Sequence, residues 1–198
     1  MSLNVGILAP GKGWGNFVSY ISCFKTISKV KNTNVILITK EFSSAKSYLE
    51  DQKFVKKFYE IPDNKRGIFK SIKYAFKLYN ILSRAKLDEI FIFHSSVTLV
   101  LISYLSNIKN IYAPGIRYQN FFLKKKNKLY EKFFSKLIEP VEETNNLTKK
   151  ILKIEKINFL PLEHNTITDK KLVGICIACS GPEKQWGIDN YIEIINFL

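Results

Sequence analysis

Short apolar runs alternate with segments of helical periodicity along most of this chain. The runs read NVGILA at 4–9, NVILIT at 34–39, KFYEIP at 57–62, DEIFIFH at 88–94 and NIYAPG at 110–115. Between them, apolar residues recur on one helical face, first as Phe17, Ile21, Phe24 and Ile27. Strands that are apolar on both faces and alternate with helices are typical of a covered parallel sheet. We therefore expect an α/β fold, a Rossmann-like parallel sheet flanked by helices.

Two later segments also predict helices with apolar faces. After Gly67, one stripe consists of Ile68, Ile72, Phe76, Tyr79 and Leu82. From Phe121 to Ile138, aromatic residues and lysines interleave at helical spacing. This second helix has two interpretations, namely core packing with solvated lysines or binding of an anionic glycan or membrane surface.

The chain is strongly basic, with 31 Lys and Arg residues against 17 Asp and Glu residues and a net charge of +14. A solvated lysine surface and an anionic partner both explain this excess. The basic residues are mostly lysines spread along the chain, without an arginine-rich arm that would follow a nucleic-acid duplex. We expect no specific nucleic-acid partner.

Three cysteines and two histidines are too few to predict a metal site. Cys176 and Cys179 lie within the apolar run LVGICIAC, where strand geometry directs them to opposite faces of a sheet. No second Cys or His pair completes a zinc site, so we expect structural cysteines, no metal and no cofactor. The N-terminus lacks a signal-peptide pattern. We expect a cytoplasmic protein, with peripheral association at the inner face of the membrane left open.

The sequence also predicts a domain boundary. The segment FLPLEHNTITDKK is polar and turn-rich around Pro161, which is typical of a linker. We expect an N-terminal Rossmann-like domain at 1–155, a linker at 156–171, and a strand, loop and helix at 172–198. One strand and one helix cannot bury a core, so 172–198 is predicted to be the incomplete start of a second α/β domain.

The loop PGKGWGNF at 10–17 joins the first strand to the first helix. Gly13 and Gly15 permit close approach of a ligand to the backbone, and a helix N-terminus favours negative charge. A plain tight turn, with Asn16 as the helix N-cap, explains the same residues. A dinucleotide fingerprint would need its third glycine at Asn16, and only Glu41 is available as the acidic residue after the second strand.

A second loop, CSGPEKQW, follows the apolar run LVGICIA and precedes a helical pattern. Ligands of α/β proteins bind at the carboxyl ends of strands, where this loop is predicted to lie. Ser180 offers a hydroxyl, Lys184 offers a positive charge, and the loop amides favour a phosphate. Trp186 is explained as a packing residue or, alternatively, as a ligand-stacking residue.

Together the two loops resemble glycosyltransferase family 9, which contains the lipopolysaccharide heptosyltransferases. The stretch ILAPGKGWGNFVSYISCFKTI has that family's strand, small-residue loop and helix, with Gly15-Asn16 where the family has Gly-Asp. The stretch VGICIACSGPEKQWGIDNYIEII resembles the start of its second domain, which carries Lys-x-Trp. DEIFIFHSS and IYAPGIR stand where the family has Asp-x-x-Ile-Asp-x-Gln-Gly and Ile-Gly-Tyr/Phe.

The resemblance implies a GT-B fold, two Rossmann-like domains that face a cleft. It implies transfer of a sugar from a nucleotide-diphosphate donor to a cell-envelope glycolipid acceptor. Ser180 and Lys184 match positions that hold the donor diphosphate, and Cys179 stands where the family often has a second hydroxyl residue. Asn16 stands at the position of the family's catalytic Asp, although an amide does not accept a proton near neutral pH. With an incomplete donor domain, this chain alone is expected to be inactive, and a non-catalytic binding domain is the alternative.

Overall fold

The computed structural model describes residues 3–10, 14–41, 45–62, 68–131, 138–158 and 192–193, with the side chains of 14–16 and 68–70 left aside. The chain divides into two compact units, Met1–Glu163 and His164–Leu198. Of the second unit only 192 and 193 are described, and both are helical. The fold given below is therefore that of the first unit.

Five parallel strands form one sheet in the order β3-β2-β1-β4-β5. The strands are β1 (Val5–Ala9), β2 (Val35–Lys40), β3 (Val55–Ile61), β4 (Glu89–Ile92) and β5 (Asn110–Tyr112). The helices are α1 (Trp14–Lys31), α2 (Ala45–Leu49), α3 (Ile68–Ala85), α4 (Val97–Leu105) and α5 (Pro140–Leu152). The predicted Rossmann-like parallel sheet is confirmed, and each of the five strand runs between residues 4 and 115 forms a strand. The later run LVGICIA lies outside the described residues.

The helices cover both faces of the sheet and create two cores. Side chains of α1, α2 and α5 pack on one face, with Phe24 and Phe91 at its centre. Side chains of α3 and α4 pack on the other face, around Leu78 and Ile90. Strands β1, β2 and β4 are buried on both faces, which explains their nearly continuous apolar sequences.

The predicted apolar face of α1 is confirmed. Phe17, Ile21, Phe24 and Ile27 are all buried. The ring of Phe24 stacks on Phe93 at 5.9 Å and meets Phe17 edge-on at 5.2 Å. Aromatic pairs in such arrangements contribute about 0.5–1.5 kcal/mol beyond the area they bury. The spacing of four apolar residues was therefore sufficient to orient this helix.

Helix α3 forms as predicted, but most of its predicted apolar stripe does not pack. Ile72 and Phe76 are 60% and 67% exposed, and Tyr79 is also exposed. Of the predicted stripe, only Leu82 is buried among the residues whose side chains are described. The buried face consists of Tyr74, Leu78, Leu82 and Ala85. The helix carries apolar residues on two faces, and periodicity alone does not say which one packs against the sheet.

The helix predicted from Phe121 to Ile138 is wrong over 121–131, the part the structure describes. The chain there forms two short 3₁₀ turns, Arg117–Phe121 and Lys125–Asn127. Beyond them, the Leu129 and Tyr130 N–H groups donate to the Pro114 carbonyl oxygen at 3.1 and 2.9 Å. These bonds tie the segment to the end of β5, and tertiary contacts thereby override the local helical pattern.

A buried ionic cluster closes the amino edge of the sheet. Glu89, at the start of β4, forms an ion pair with Lys31 at 2.5 Å, from the last turn of α1. The Tyr112 hydroxyl donates to the same carboxylate at 3.1 Å, and the Asn110 amide donates at 3.3 Å. Burial and the Glu89 charge raise the pKa of the Tyr112 phenol. The cluster lies away from the carboxyl edge and has a structural role.

Cys23 is buried between α1 and α5, and its thiol donates to Asn145 Oδ1 at 3.1 Å. Burial raises the pKa of this thiol to about 11. The thiolate form is therefore scarce near neutral pH, which makes Cys23 a packing residue and not a nucleophile. Cys176 and Cys179 lie outside the described residues.

Candidate functional site

The sheet order places a crevice between the carboxyl ends of β1 and β4. Strand β1 continues through α1 to β2 on one side, whereas β4 is reached through α3 and continues through α4 on the opposite face. The connections therefore leave neighbouring strands in opposite directions, which opens a gap where α/β proteins bind ligands. The Phe93 N–H donates to the Leu8 carbonyl at 3.0 Å, so the two strands stay paired up to this gap.

The described residues on either side of the first glycine-containing loop lie at this crevice. Strand β1 ends at Ala9, and the buried Pro10 follows it. Gly13 lies outside the described residues, whereas α1 already begins at Trp14. Gly15 and Asn16 are therefore the second and third residues of the helix. The interpretation of Asn16 as the N-cap is wrong, since an N-cap residue precedes the first helical residue.

His94 follows β4 directly and is the described histidine at the crevice. Its Nδ1 atom accepts a hydrogen bond from the Ser96 N–H at 3.0 Å. Desolvation lowers the pKa of the imidazole even though the residue keeps a solvent-exposed edge, and the positive charge of Lys40 lowers it further. The neutral ring with Nδ1 as acceptor carries its proton on Nε2. His94 can therefore donate a hydrogen bond to a ligand in the crevice.

Gln119 holds two of the loops at this edge together. Its side chain is fully buried, and Oε1 accepts the N–H groups of Gly115 and Ile116, each at 3.0 Å. Its Nε2 donates to the carbonyl oxygens of His94 at 3.0 Å and Ser96 at 3.2 Å. These four bonds use both lone pairs and both protons of the amide. They fix the loop after β5 against the loop after β4.

The loop after β5 has a backbone that depends on one glycine. Gly115 has φ +81°, and a Cβ added there would lie 2.7 Å from Lys128 Cβ and 2.9 Å from the Tyr130 carbonyl oxygen. Both the left-handed conformation and the close approach require glycine. Arg117, two residues later, also has a positive φ of 48° and is exposed at the same edge. The Gln119 bonds hold this strained turn in place.

Sequence reasoning missed the roles of His94 and Gln119. The sequence pattern indicates His94 only as the end of a strand and as one of two histidines. Gln119 has no local signal, because its partners are main-chain atoms 3–4 and 23–25 residues away. The one usable hint was the Pro114-Gly115 pair, which marks a tight turn at the end of a strand.

The second predicted site lies outside the described residues. Cys179, Ser180 and Lys184 are all in that part of the chain. Among the described residues, the structure brings together the end of β1, the start of α1, the loop after β4 and the loop after β5. Within the described ranges, no group of three His, Cys, Asp or Glu residues is arranged to hold a metal ion. In the same ranges, no helix is both long and apolar enough to cross a bilayer.

We predict that His94 remains neutral, as the Nε2–H tautomer, to a pH below its usual titration range. Its lowered pKa means that the unfolded chain binds a proton first as the pH falls below 6.5. The His94 contribution to stability is therefore complete above that pH and decreases as the pH falls toward the folded-state pKa. Nitrogen-15 NMR of the imidazole rings, with His94→Gln as the assignment control, measures both properties. An Nδ1–H tautomer, or an ordinary pKa, would contradict the prediction.

Comparison with known proteins identifies the architecture. No protein-family profile and no curated protein sequence matches the chain. A family 9 glycosyl transferase from Veillonella parvula matches 100% of this chain with a TM-score of 0.73 and 13% identity. The Escherichia coli heptosyltransferase WaaC with ADP-2-deoxy-2-fluoro heptose matches 99% of this chain, with a TM-score of 0.68 and 14% sequence identity. The E. coli ADP-heptose lps heptosyltransferase II matches 98% of this chain, with a TM-score of 0.68 and 14% sequence identity.

The matches also define how much of those proteins this chain represents. It spans 60%, 65% and 61% of the lengths of the three solved chains. At identities of 13–14%, the likeness concerns the fold. The chain has a fold like that of the family 9 glycosyltransferases and heptosyltransferases.

Proposed function

We propose that this chain acts in sugar transfer from a nucleotide-diphosphate donor to a cell-envelope glycolipid acceptor, in lipopolysaccharide biosynthesis. The observation that carries the proposal is the fold shared with heptosyltransferases over 98–99% of the chain. Among those relatives, WaaC has been solved with ADP and with an ADP-heptose analogue. ADP and ADP-heptose are therefore the first ligands to test.

In this proposal the two ends of the chain have different tasks. The N-terminal domain at 1–155 holds the acceptor at the crevice, where Gly13 and Gly15 permit close approach to the backbone. After the linker at 156–171, the segment 172–198 belongs to the donor side. There Ser180 and Cys179 contact the donor diphosphate, and the Lys184 ammonium stabilises the negative charge that grows on the leaving phosphate.

The acceptor hydroxyl must lose a proton during transfer, and Asn16 cannot accept it. His94 does not replace a carboxylate directly, because its free nitrogen carries the proton in the neutral ring. We therefore expect this chain to bind its ligands but to transfer sugar slowly. Substitution of Asn16 by Asp restores a group that can act as general base.

We place the protein in the cytoplasm, at the inner face of the membrane, since that is where a glycolipid acceptor with a cytoplasmic donor would be reached. The alternative of a non-catalytic binding domain is not favoured. The binding surface suggested for it was a basic amphipathic helix from Phe121 to Ile138, and no α-helix forms over 121–131. It also leaves the end-to-end match with sugar transferases unexplained.

The proposed function is tested by calorimetric titration of the full chain with ADP and ADP-heptose, followed by measurement of ADP release with glycolipid acceptor. We expect ADP binding to weaken about tenfold or more in Lys184→Ala, because a charge-assisted phosphate contact is lost. Lys156→Ala, which removes an exposed lysine outside the predicted loop, should leave binding unchanged. Asn16→Asp should increase ADP release. No binding of nucleotide or nucleotide-sugar by any variant would contradict the proposal.

A further inference from the structure

Helix α3 exposes a continuous apolar stripe to solvent. Ile72, Phe76 and Tyr79 follow one another at intervals of four and three residues, so they lie on one face of the helix. They are 60%, 67% and 39% exposed. The stripe runs along about 10 Å of the helix axis. The opposite face, with Leu78 and Leu82, is already used by the core.

Positive charge lies beside this stripe. Lys73 and Lys77 are exposed on the flank between the stripe and the buried face, and Arg84 follows two to three turns later. The sequence of α3 contains no Asp or Glu, so no acidic residue of the helix opposes these charges. Lys77 lies 3.7 Å from Glu41, in an exposed pair that is worth little in water.

This combination of charge and aromatic residues is complementary to an anionic lipid surface. Phe and Tyr rings enter the region between headgroups and acyl chains, while lysines keep their ammonium groups among anionic headgroups. A second copy of the chain fits less well. A two-fold contact through this stripe would bring the two sets of Lys73 and Lys77 together, in a protein whose net charge is already +14.

We propose that the exposed face of α3, formed by Ile72, Phe76 and Tyr79 with Lys73 and Lys77, docks the protein on an anionic lipid bilayer. The helix lies in the plane of the interface with its stripe inserted, and the lysines hold it there by attraction to acidic headgroups. The segment from Phe121 to Ile138, for which the sequence left this role open, forms no α-helix over its described residues 121–131.

The docking face also has a useful position relative to the crevice. Helix α3 follows β3, so its first half starts at the carboxyl edge of the sheet, the edge where the crevice lies. Docking through Ile72 and Phe76 would hold that edge close to the lipid surface. A membrane-anchored glycolipid would then need to travel only a short distance to the site. This advantage of the docking face rests on the proposed function.

Co-sedimentation of the full chain with lipid vesicles tests the proposal without any transfer assay. One set of vesicles contains phosphatidylcholine with about a third phosphatidylglycerol, and the other contains phosphatidylcholine alone. We expect binding to the anionic set, with a marked decrease when salt is raised from about 0.1 M to 0.5 M. Phe76→Ser should weaken the partition about tenfold or more. Lys73→Gln should weaken it about fivefold.

Matched controls come from the segment that the sequence had favoured. Phe121→Ser changes a phenylalanine that is 74% exposed, and Lys125→Gln changes a lysine whose side chain is 80% exposed. Both should bind vesicles like the unmodified chain. Substitutions at exposed positions should leave the free energy of unfolding nearly unchanged. Circular dichroism verifies that all variants are folded.

Three outcomes would overturn the proposal. The first is no binding to anionic vesicles, and the second is binding that depends on Phe121 and not on Phe76. The third is a dimer in sedimentation equilibrium that Phe76→Ser dissociates, with vesicle binding unaffected. Nucleotide binding in the calorimetric test is independent of all three, so failure of the docking surface is distinguishable from failure of the proposed function.

Discussion

Replacement of Gln119 by Leu is expected to lower the free energy of unfolding by about 3–5 kcal/mol. The substitution removes four hydrogen bonds of a fully buried amide, so two N–H groups and two carbonyl oxygens lose this partner. Each unpaired buried group costs about 1–3 kcal/mol, and the exposed edge near His94 allows water to recover part of the loss. The melting temperature should fall by about 10 °C or more.

A graded control separates the bonds from the packing of this side chain. Gln119→Glu keeps an oxygen that accepts from the Gly115 and Ile116 N–H groups. Because burial favours the neutral carboxylic acid, it also keeps one of the two donors to the loop after β4. Its loss of stability should therefore lie between those of the unmodified chain and Gln119→Leu. Urea denaturation measures all three. If Gln119→Leu unfolds within about 1 kcal/mol of the unmodified chain, the amide does not hold the loops together.

Replacement of Leu78 by Ala is expected to lower the free energy of unfolding by about 2–5 kcal/mol, because it leaves a cavity in a closely packed core. Phe76→Ala removes a larger side chain on the same helix but should cost less than about 0.5 kcal/mol, since most of that ring already contacts water. Urea denaturation of both variants measures the difference. Equal losses would mean that the two faces of α3 are assigned to the wrong sides.

The contrast on α3 explains how far the sequence could predict this fold. Strands were found because a buried parallel strand is apolar on both faces, a pattern that few other structures share. The face of α1 was found because its apolar residues form a single stripe. In α3 two apolar faces compete, and the packing of the whole crossover decides between them. Docking of the exposed face on lipid would also explain why both faces are apolar.

The helix prediction for the segment after Phe121 was wrong for a different reason. Its helical spacing is real, yet contacts with the end of β5, between Tyr130 and Pro114 for example, draw the backbone into another conformation. Local periodicity contains no information about such long-range bonds. The same limit applies to the site, because the crevice between β1 and β4 depends on strand order. Of the predicted site, the sequence correctly indicated a helix after the first glycine loop, although that helix begins earlier, at Trp14. It missed His94 and Gln119.

The hydrogen bonds of Gln119 affect which residues can vary at the carboxyl edge of the sheet. Its four partners are main-chain atoms, so no side chain at 94, 96 or 116 takes part in the clamp. Those side chains can be exchanged without removal of any of the four clamp bonds, whereas Gly115 is fixed by its backbone conformation. The scaffold thereby separates loop shape from loop chemistry. New ligand preferences can therefore arise at this edge one residue at a time, with the clamp retained.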